Sequence, residues 1–274
     1  MGSVGEPGAV NDAVEGVDAV VHLAARADVV DSITNPVASF DANVVQTFEV
    51  LEAARVAGVE RFVLASSNAV LGAAEPPVDE TTLPKPISPY GASKLAGEAY
   101  CAAYSVSYGM AACALRFSNV FGPYSLHKKS VVAAWLRASL TGRPLVVHGD
   151  GRQTRDYIYV DDLATALCAA MDAPAADVAG EVFQTGTGQE TSLNALAQTI
   201  SRVSGRTPDI IHGPPRTGDV ERNASRVGKA ERLLGFRASV ELDDGLERTA
   251  RWWERALSDP HLAGIEPQAA SGSV

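Results

Sequence analysis

The sequence is poor in the residues that build disulfide scaffolds and metal centres. Its 274 residues include three cysteines, which are scattered along the chain, and Cys101 and Cys168 fall in helical patterns. Scattered cysteines of this kind favour buried free thiols over disulfides or metal ligands. No group of histidines and cysteines has the spacing of a metal site. The sequence therefore predicts neither a disulfide framework nor a bound metal.

Long apolar runs and an excess of basic residues are also missing. No apolar stretch approaches the ~18 residues of a membrane-spanning helix, and no basic region followed by an apolar segment opens the chain. Lysine and arginine total 23 against 33 acidic residues, a formal net charge of −10. This balance argues against nucleic acid or an anionic membrane as a partner, although local arginines can still hold a small anionic ligand. We expect a cytoplasmic protein.

The composition that remains is that of a globular protein, with 46% hydrophobic and 20% charged residues. A chain of this length can bury one core, or a core with an attached lobe. Continuous apolar stretches over residues 17–23, 62–65 and 110–115 predict buried strands.

Helix signals follow these strands. Residues 35–57 predict one long helix, because Asn-Pro opens the stretch and glycine follows it. Asp161 and Asp162 are expected to cap the amino end of a later helix. Trp252 and Trp253 lie in the closing helical pattern, where we expect them to pack rather than to bind a ligand.

One short region concentrates side chains that can move protons. Ser66 and Ser67 stand where the strand predicted over residues 62–65 ends. Tyr90 and Lys94 open the next predicted helix, and their spacing places them on one helical face. The lysine ammonium would lower the tyrosine pKa from its ordinary value of about 10, and Ser67 could hold a substrate oxygen. Taken alone, Tyr-x-x-x-Lys is a weak signal, and a surface tyrosine beside a solvated lysine is the favoured alternative.

Further motifs accompany this region in a fixed order: His22-Leu23-Ala24-Ala25, Asn43-Val44, Ser66-Ser67, Tyr90 to Lys94, Arg116 to Pro123, Gly149 to Asp162, and Arg216-Thr217-Gly218-Asp219. Over about residues 2–256 the chain resembles the extended short-chain dehydrogenase/reductase family, in its nucleotide-sugar epimerase/dehydratase branch. The resemblance implies an α/β fold with a Rossmann-like doubly wound parallel sheet in residues 1–115 and parts of 116–180. It also implies a smaller substrate lobe, mainly in residues 116–257, while the composition of residues 258–274 predicts a disordered tail.

The opening of the chain departs from that family. Gly2, Gly5 and Gly8 have the spacing of a dinucleotide-binding loop, but no buried strand precedes them and Pro7 lacks an N–H group. We reject this match and align the opening residues with the end of the family's third strand. Four elements of the family are then expected to be absent: the first strand, the glycine-rich loop, the first helix and the second strand. Their absence would leave Asp18–Leu23 with an open apolar edge. A shortened product, a partner covering the edge or a degenerate relative would each account for this.

The resemblance assigns roles to matching residues. Tyr90 would be the catalytic base, Lys94 its tuner and ribose anchor, and Ser67 the hydrogen-bond partner. The residues expected to contact the cofactor, NAD, are Val4, Ala24, Ala25, Asn43, Ser66, Tyr90 and Lys94. The residues expected to contact a nucleotide-sugar substrate are Ser67, Asn119, His148, Arg155, Arg216 and Asp219. Arginine suits a diphosphate because its planar fork pairs with two oxygens, although surface salt bridges are the alternative for Arg155 and Arg216.

The residues after Ser67 bear on the reaction. In the dehydratase and decarboxylase branches acidic residues follow the catalytic hydroxyl, whereas here Asn68 and Ala69 follow, and neither is an acid or a base at neutral pH. This favours 4-epimerisation, in which NAD is regenerated. A non-catalytic binding subunit and a sugar reductase or dehydrogenase remain alternatives. We expect a homodimer formed through the helices over residues 36–57 and 90–108.

Overall fold

A parallel sheet of four strands, in the order β1-β2-β3-β8, lies at the centre of the fold. The computed structural model describes residues 4–6, 8–215 and 220–259. The strands of the central sheet are β1 (Ala19–His22), β2 (Arg61–Ser67), β3 (Ala111–Phe117) and β8 (Val182–Thr185). The predicted α/β fold with a Rossmann-like parallel sheet is confirmed.

The helices of the described residues are α1 (Ala9–Val14), α2 (Val29–Thr34), α3 (Pro36–Phe40), α4 (Gln46–Val56), α5 (Pro89–Tyr108), α6 (Val131–Leu140), α7 (Val160–Asp172), α8 (Ala175–Val178), α9 (Leu193–Val203), α10 (Gly228–Leu234) and α11 (Leu242–Ser258). Of these, α4, α5, α7, α8 and α10 contact strands of the central sheet. Along β2, Phe62 and Leu64 join one buried cluster and Val63 joins another. Successive strand residues point to opposite faces, so both faces of β2 need apolar cover.

Shorter strands form three pairs outside the central sheet. Strands β4 (Asn119–Phe121) and β7 (Tyr157–Tyr159) are parallel, as are β5 (Leu145–His148) and β10 (Ile210–Gly213). Strands β6 (Thr154–Arg155) and β9 (Thr191–Ser192) are antiparallel. A separate buried cluster lies here and includes Trp252 and Trp253, which are 7% and 0% exposed. The expectation that these tryptophans pack in a core is confirmed.

Helix α5 is held close to the sheet. Ser88 caps its amino end by accepting from the Gly91 N–H group, and Gly109, with a φ of 71°, ends it. A Cβ atom at Gly97 would lie 2.7 Å from Leu64 Cδ2, and one at Gly91 would lie 2.3 Å from the Ala69 carbonyl oxygen. Glycine at these two positions therefore lets the helix approach the end of β2.

The single helix predicted over residues 35–57 is wrong. The structure has α3, a π-helical turn over Asp41–Val45, and then α4. The turn contains Asn43, which is 2% exposed and hydrogen-bonded to neighbouring segments. Helix periodicity does not reveal such a turn, because a single π-helical turn barely changes the apolar pattern of the helix.

The capping role predicted for Asp161 and Asp162 is also wrong. Tyr159 occupies the N-cap position of α7, and both aspartates lie in the first turn of the helix. Asp162 accepts from the Ser239 and Val240 N–H groups instead, at 3.1 and 3.0 Å. This carboxylate is buried, so it takes partners from a distant loop rather than from its own helix.

The described residues hold no helix that is both long and apolar enough to cross a membrane. The cytoplasmic location stays a prediction. Within the same residues no group of three or more histidine, cysteine, aspartate or glutamate side chains could hold a metal ion.

Candidate active site

The predicted proton-transfer residues meet at the carboxyl edge of the central sheet. Ser67 is the last residue of β2, and its Oγ accepts from the Ala69 N–H group at 3.2 Å as the chain turns. Tyr90 lies in the first turn of α5, and its side chain shares a hydrogen bond with Ser67. The Lys94 Nζ atom lies 5.9 Å from the centre of the Tyr90 ring. The structure therefore brings all three predicted catalytic residues together.

Burial controls the protonation of this pair. Tyr90 is 9% exposed and Lys94 is 4% exposed. Burial raises the pKa of Tyr90, opposed by the hydrogen bond with Ser67. Burial lowers the pKa of Lys94 to about 8. The expectation that Lys94 lowers the tyrosine pKa is thus wrong for the chain by itself, because desolvation of the phenolate dominates.

Asn43 joins the loop after β1 to α5. Its Oδ1 accepts from the Arg26 N–H group at 2.8 Å, and its Nδ2 donates to the Arg26 carbonyl oxygen at 3.0 Å and to Ser93 Oγ at 3.1 Å. Ser93 donates in turn to the Tyr90 carbonyl oxygen at 2.7 Å. Ala24 and Ala25 are exposed in this loop, beside the residues that Asn43 holds. Their small side chains leave the loop backbone open to a flat ligand.

Ser66 and Val4, predicted on the cofactor side, make different contacts. The Ser66 hydroxyl donates to Glu98 Oε1 at 2.5 Å and is buried. A contact between Ser66 and a cofactor would therefore have to use its backbone. Val4 is partly buried and packs against an apolar cluster of the sheet that includes Val50. Gly8 is the N-cap residue of α1, with a φ of 83°.

The predicted substrate residues are distributed over the smaller strands. Asn119 is exposed at the start of β4, and its N–H group donates to the Asp156 carbonyl oxygen at 2.9 Å. Arg155 is partly buried in β6, and its Nη1 donates to the Thr154 carbonyl oxygen at 2.7 Å. His148 ends β5 and contacts the Pro214 carbonyl oxygen through Nδ1 at 3.2 Å. Arg216 and Asp219 lie outside the described residues.

Sequence reasoning missed a polar cluster beside Ser67. Asn68 Nδ2 donates to Ser225 Oγ at 2.8 Å, to Asn223 Oδ1 at 3.3 Å and to Ser118 Oγ at 3.4 Å. Asn68 is 6% exposed and Ser225 is 1% exposed. These contacts tie the residue after Ser67 to a segment more than 150 positions away. No local pattern in the sequence could have indicated them.

His22 was also missed, although it belongs to a recognised motif. It is 5% exposed, and its Nε2 contacts Thr47 Oγ1 at 3.0 Å. Burial first, and the charge of Lys94 second, lower its pKa to about 4. His22 is therefore neutral near neutral pH and adds no positive charge beside Lys94.

A profile described as the NAD dependent epimerase/dehydratase family matches residues 2–186. A putative UDP-glucose 4-epimerase of Methanocaldococcus jannaschii is 38% identical over 242 residues, which are 86% of this chain and 77% of that protein. Among solved structures, the UDP-glucose 4-epimerase of Thermotoga maritima with UDP-glucose superposes with a TM-score of 0.88 at 32% identity, covering 93% of this chain and 84% of that one.

The UDP-N-acetylglucosamine 4-epimerase of Methanobrevibacter ruminantium, in complex with UDP-N-acetylmuramic acid, is also similar. Its TM-score is 0.84 at 28% identity, covering 89% of this chain and 79% of that one. The parallel sheet and the helices packed on it define a Rossmann-like α/β fold. More narrowly, the chain belongs to the NAD dependent epimerase/dehydratase family.

The residues described here fit the nicotinamide end of NAD. The Lys94 ammonium is buried and donates no hydrogen bond within residues 4–6, 8–215 and 220–259. A buried ammonium with open donor capacity suits the hydroxyl groups of a ribose. The exposed loop with Ala24 and Ala25 lies on the side held by Asn43, where a flat ring could approach.

Proposed function

We propose that this protein is a nucleotide-sugar 4-epimerase that acts on a UDP-hexose or a UDP-N-acetylhexosamine. The observation that carries the proposal is the Ser67–Tyr90 hydrogen bond beside Lys94, at a sheet edge where Asn68 and Ala69 replace acidic residues. The 4-epimerase names of the relatives described above support it.

Each catalytic side chain has a separate task in this reaction. Tyr90 would take the proton of the sugar 4-hydroxyl, for which it must reach the phenolate form against the burial that raises its pKa, and Ser67 would hold the same oxygen by a hydrogen bond. Lys94 would keep a positive charge beside Tyr90 and would hold the ribose of a bound NAD. NAD bound there would supply reversible hydride transfer at the sugar C4. Tyr90 would return its proton to the sugar oxygen after the keto sugar has rotated in the site. The reaction then has no net oxidation.

The surroundings of Ser67 support epimerisation over elimination. Elimination at neighbouring sugar carbons needs an acid or base beside the catalytic hydroxyl. Asn68 carries an amide there, and its Nδ2 is engaged with Ser225, Asn223 and Ser118. Ala69 has no functional group. Tyr90 is thus the candidate base at this edge of the sheet.

The substrate residues remain part of the proposal. Arg155 and Arg216 would grip the diphosphate bidentately, and Asn119 would contact the sugar nucleotide from the start of β4. His148 and Asp219 would line the same lobe. The exposure of Asn119 and the partial exposure of Arg155 leave both side chains accessible to a ligand.

A second copy of the chain is the proposed protein partner. Helices α4 and α5 present an aromatic face made of Phe48, Tyr100, Tyr104 and Tyr108, with ring centres 4.9–6.4 Å apart. Phe48, Tyr100 and Tyr108 are 38%, 41% and 56% exposed. Exposed aromatic surface of this extent marks an interaction site.

The test follows conversion of UDP-glucose to UDP-galactose, and the matching acetamido pair, by a chromatographic assay. Epimerisation predicts both sugars at equilibrium with no net absorbance change at the nicotinamide band. A stoichiometric change at that band would indicate a reductase or dehydrogenase instead. An NAD-loaded protein without turnover would favour a binding subunit.

The first prediction concerns the base. Tyr90→Phe should lower kcat at least about 100-fold, because it removes the proton acceptor while keeping the ring. Circular dichroism and the melting temperature should stay at wild-type values. Tyr157→Phe, which removes a hydroxyl from the buried β7, is the control and should keep turnover. Near-normal activity of Tyr90→Phe would contradict the assignment.

A further inference from the structure

A buried ion pair lies behind the catalytic residues. Arg116 donates to Glu98 through Nε and Nη2, at 2.9 and 2.8 Å. Ser66 Oγ donates to the same carboxylate at 2.5 Å. Glu98, Arg116 and Ser66 are 5%, 3% and 2% exposed. None of the three groups takes part in the proton transfers described above.

The three residues come from the elements that carry the catalytic site. Glu98 lies one turn after Lys94 and two turns after Tyr90 on α5, so all three share a helical face. Ser66 immediately precedes Ser67, and in the parallel register it lies opposite Arg116. The Arg116 carbonyl oxygen accepts from Thr185 Oγ1 at 3.0 Å, which extends the contact to β8. The network therefore joins α5 to the carboxyl ends of three strands.

Stability alone is a poor reason for this arrangement. Taking two charges out of water costs free energy that a buried pair often does not recover, and apolar residues of similar size are commonly as stable. The pair is also incompletely satisfied, because Arg116 Nη1 is buried without a hydrogen-bond partner among the described residues. A bidentate ion pair does fix the relative orientation of its two side chains, because the planar guanidinium pairs with a carboxylate in only a narrow range of positions.

We propose that Glu98, with Arg116 and Ser66, is a positioning device that sets the distance and direction between Ser67 and Tyr90. Glu98 fixes the rotation and the height of α5 relative to β2. Ser66 transmits that position to the adjacent Ser67 through the strand backbone. This inference rests on the proposed function and adds three residues that act through Ser67 and Tyr90 rather than on the substrate.

The central variant is Glu98→Met combined with Arg116→Met, which removes both charges together and leaves no orphan ion. Its melting temperature should equal or exceed that of the wild type, since no buried charge remains unpaired. Its kcat should fall about 10-fold or more, while KM for the nucleotide sugar stays within about twofold, because small misplacements of reacting groups cost rate rather than binding. Ser66→Ala, which leaves the ion pair intact, should give a smaller fall in kcat.

The matched control is Glu181→Gln, which breaks the ion pair of Glu181 with Lys229 at the opposite end of β8. It should leave kcat unchanged. The proposal is overturned if the double variant Glu98→Met/Arg116→Met (the Met/Met protein) keeps kcat within about twofold of the wild type. If the Met/Met protein does not fold, the same criterion applies to Ser66→Ala.

A spectroscopic readout separates this inference from the proposed function. Fluorine NMR of 3-fluorotyrosine-labelled protein, with the Tyr90 signal assigned from Tyr90→Phe, reports the ring environment without turnover. The Tyr90 signal should shift or broaden in the Met/Met and Ser66→Ala proteins and stay unchanged in Glu181→Gln. An unchanged Tyr90 signal in the Met/Met and Ser66→Ala proteins would contradict the positioning role, even if the wild type epimerises sugars. A shifted signal in a protein without epimerase activity would sink only the proposed function.

Discussion

At the scale of single residues, burial shifts the pKa values of His22, Tyr90 and Lys94. His22 has a pKa near 4 in the folded chain against an ordinary value of 6.5, because burial and the nearby Lys94 charge both oppose protonation. A pKa that is lower in the folded state means that the unfolded state binds more protons between these values. Burial of neutral His22 therefore does not reduce the free energy of unfolding above pH 6.5. That free energy falls as the pH drops from 6.5 toward 4.

This leads to a prediction on acid stability. Between pH 6.5 and 4 the wild type should lose up to about 3 kcal/mol of unfolding free energy that His22→Gln does not lose. Urea unfolding of both proteins across this range measures the difference. His212→Gln, which replaces an exposed histidine, is the control and should follow the wild type. Parallel pH curves for wild type and His22→Gln would contradict the argument.

Under the proposed function, Asn223 is a candidate for the residue whose size selects the sugar. Its Oδ1 accepts from Asn68 Nδ2, and Asn68 directly follows Ser67 at the end of β2. On this proposal, the short asparagine would leave room for a 2-acetamido group. We therefore expect turnover of both UDP-N-acetylhexosamines and UDP-hexoses, and strict rejection of the acetamido sugars would contradict this.

The complementary variant is Asn223→Tyr, which places a bulky ring at the same position. It should lower kcat/KM for the acetamido sugar about 10-fold or more and leave UDP-hexose turnover nearly unchanged, because only the larger substituent clashes. Parallel kinetics with the two substrates measure the ratio. An equal loss on both sugars would mean that the position supports the loop rather than the pocket.

At the scale of elements, the π-helical turn over Asp41–Val45 links the loop after β1 to α5. The Asn43 side chain forms two hydrogen bonds with the Arg26 backbone and one with Ser93 Oγ. Asn43→Ala should cost about 1–3 kcal/mol of unfolding free energy, because buried partners lose their hydrogen bonds. The Arg26 amide should also exchange with deuterium faster, since its acceptor is gone.

The control for this element is Asn35→Ala. Asn35 is exposed and accepts from the Ala38 N–H group at the start of α3. That variant should loosen α3 without changing exchange at Arg26. If Arg26 exchanges at the wild-type rate in Asn43→Ala, the asparagine does not hold the loop.

At the scale of the whole molecule, the exposed aromatic face on α4 and α5 predicts a dimer. Phe48→Glu combined with Tyr100→Glu should convert the dimer to a monomer, because charges replace apolar contact at its centre. Light scattering coupled to size exclusion measures the mass. Val146→Glu, on the exposed side of β5, is the control and should stay dimeric. A monomeric wild type would contradict the proposal directly.

The sequence by itself determined the parallel sheet and the Ser67–Tyr90–Lys94 set. These features depend on local signals: apolar runs mark buried strands, and a spacing of four on a helix places two side chains on one face. The tertiary structure alone decided the π-helical turn, the Asn68 cluster and the Glu98–Arg116 pair, because their partners are far apart in the chain.

The pKa of Tyr90 depends on both the local sequence and the tertiary structure. The sequence has a lysine four positions after Tyr90, which predicts a lowered pKa. In the folded chain, α2 packs against α5, and the Tyr90 N–H group donates to Ser32 Oγ at 3.2 Å. Burial then raises that pKa. Spacing determines which charges are near a residue, whereas only packing of distant segments determines how much water reaches it.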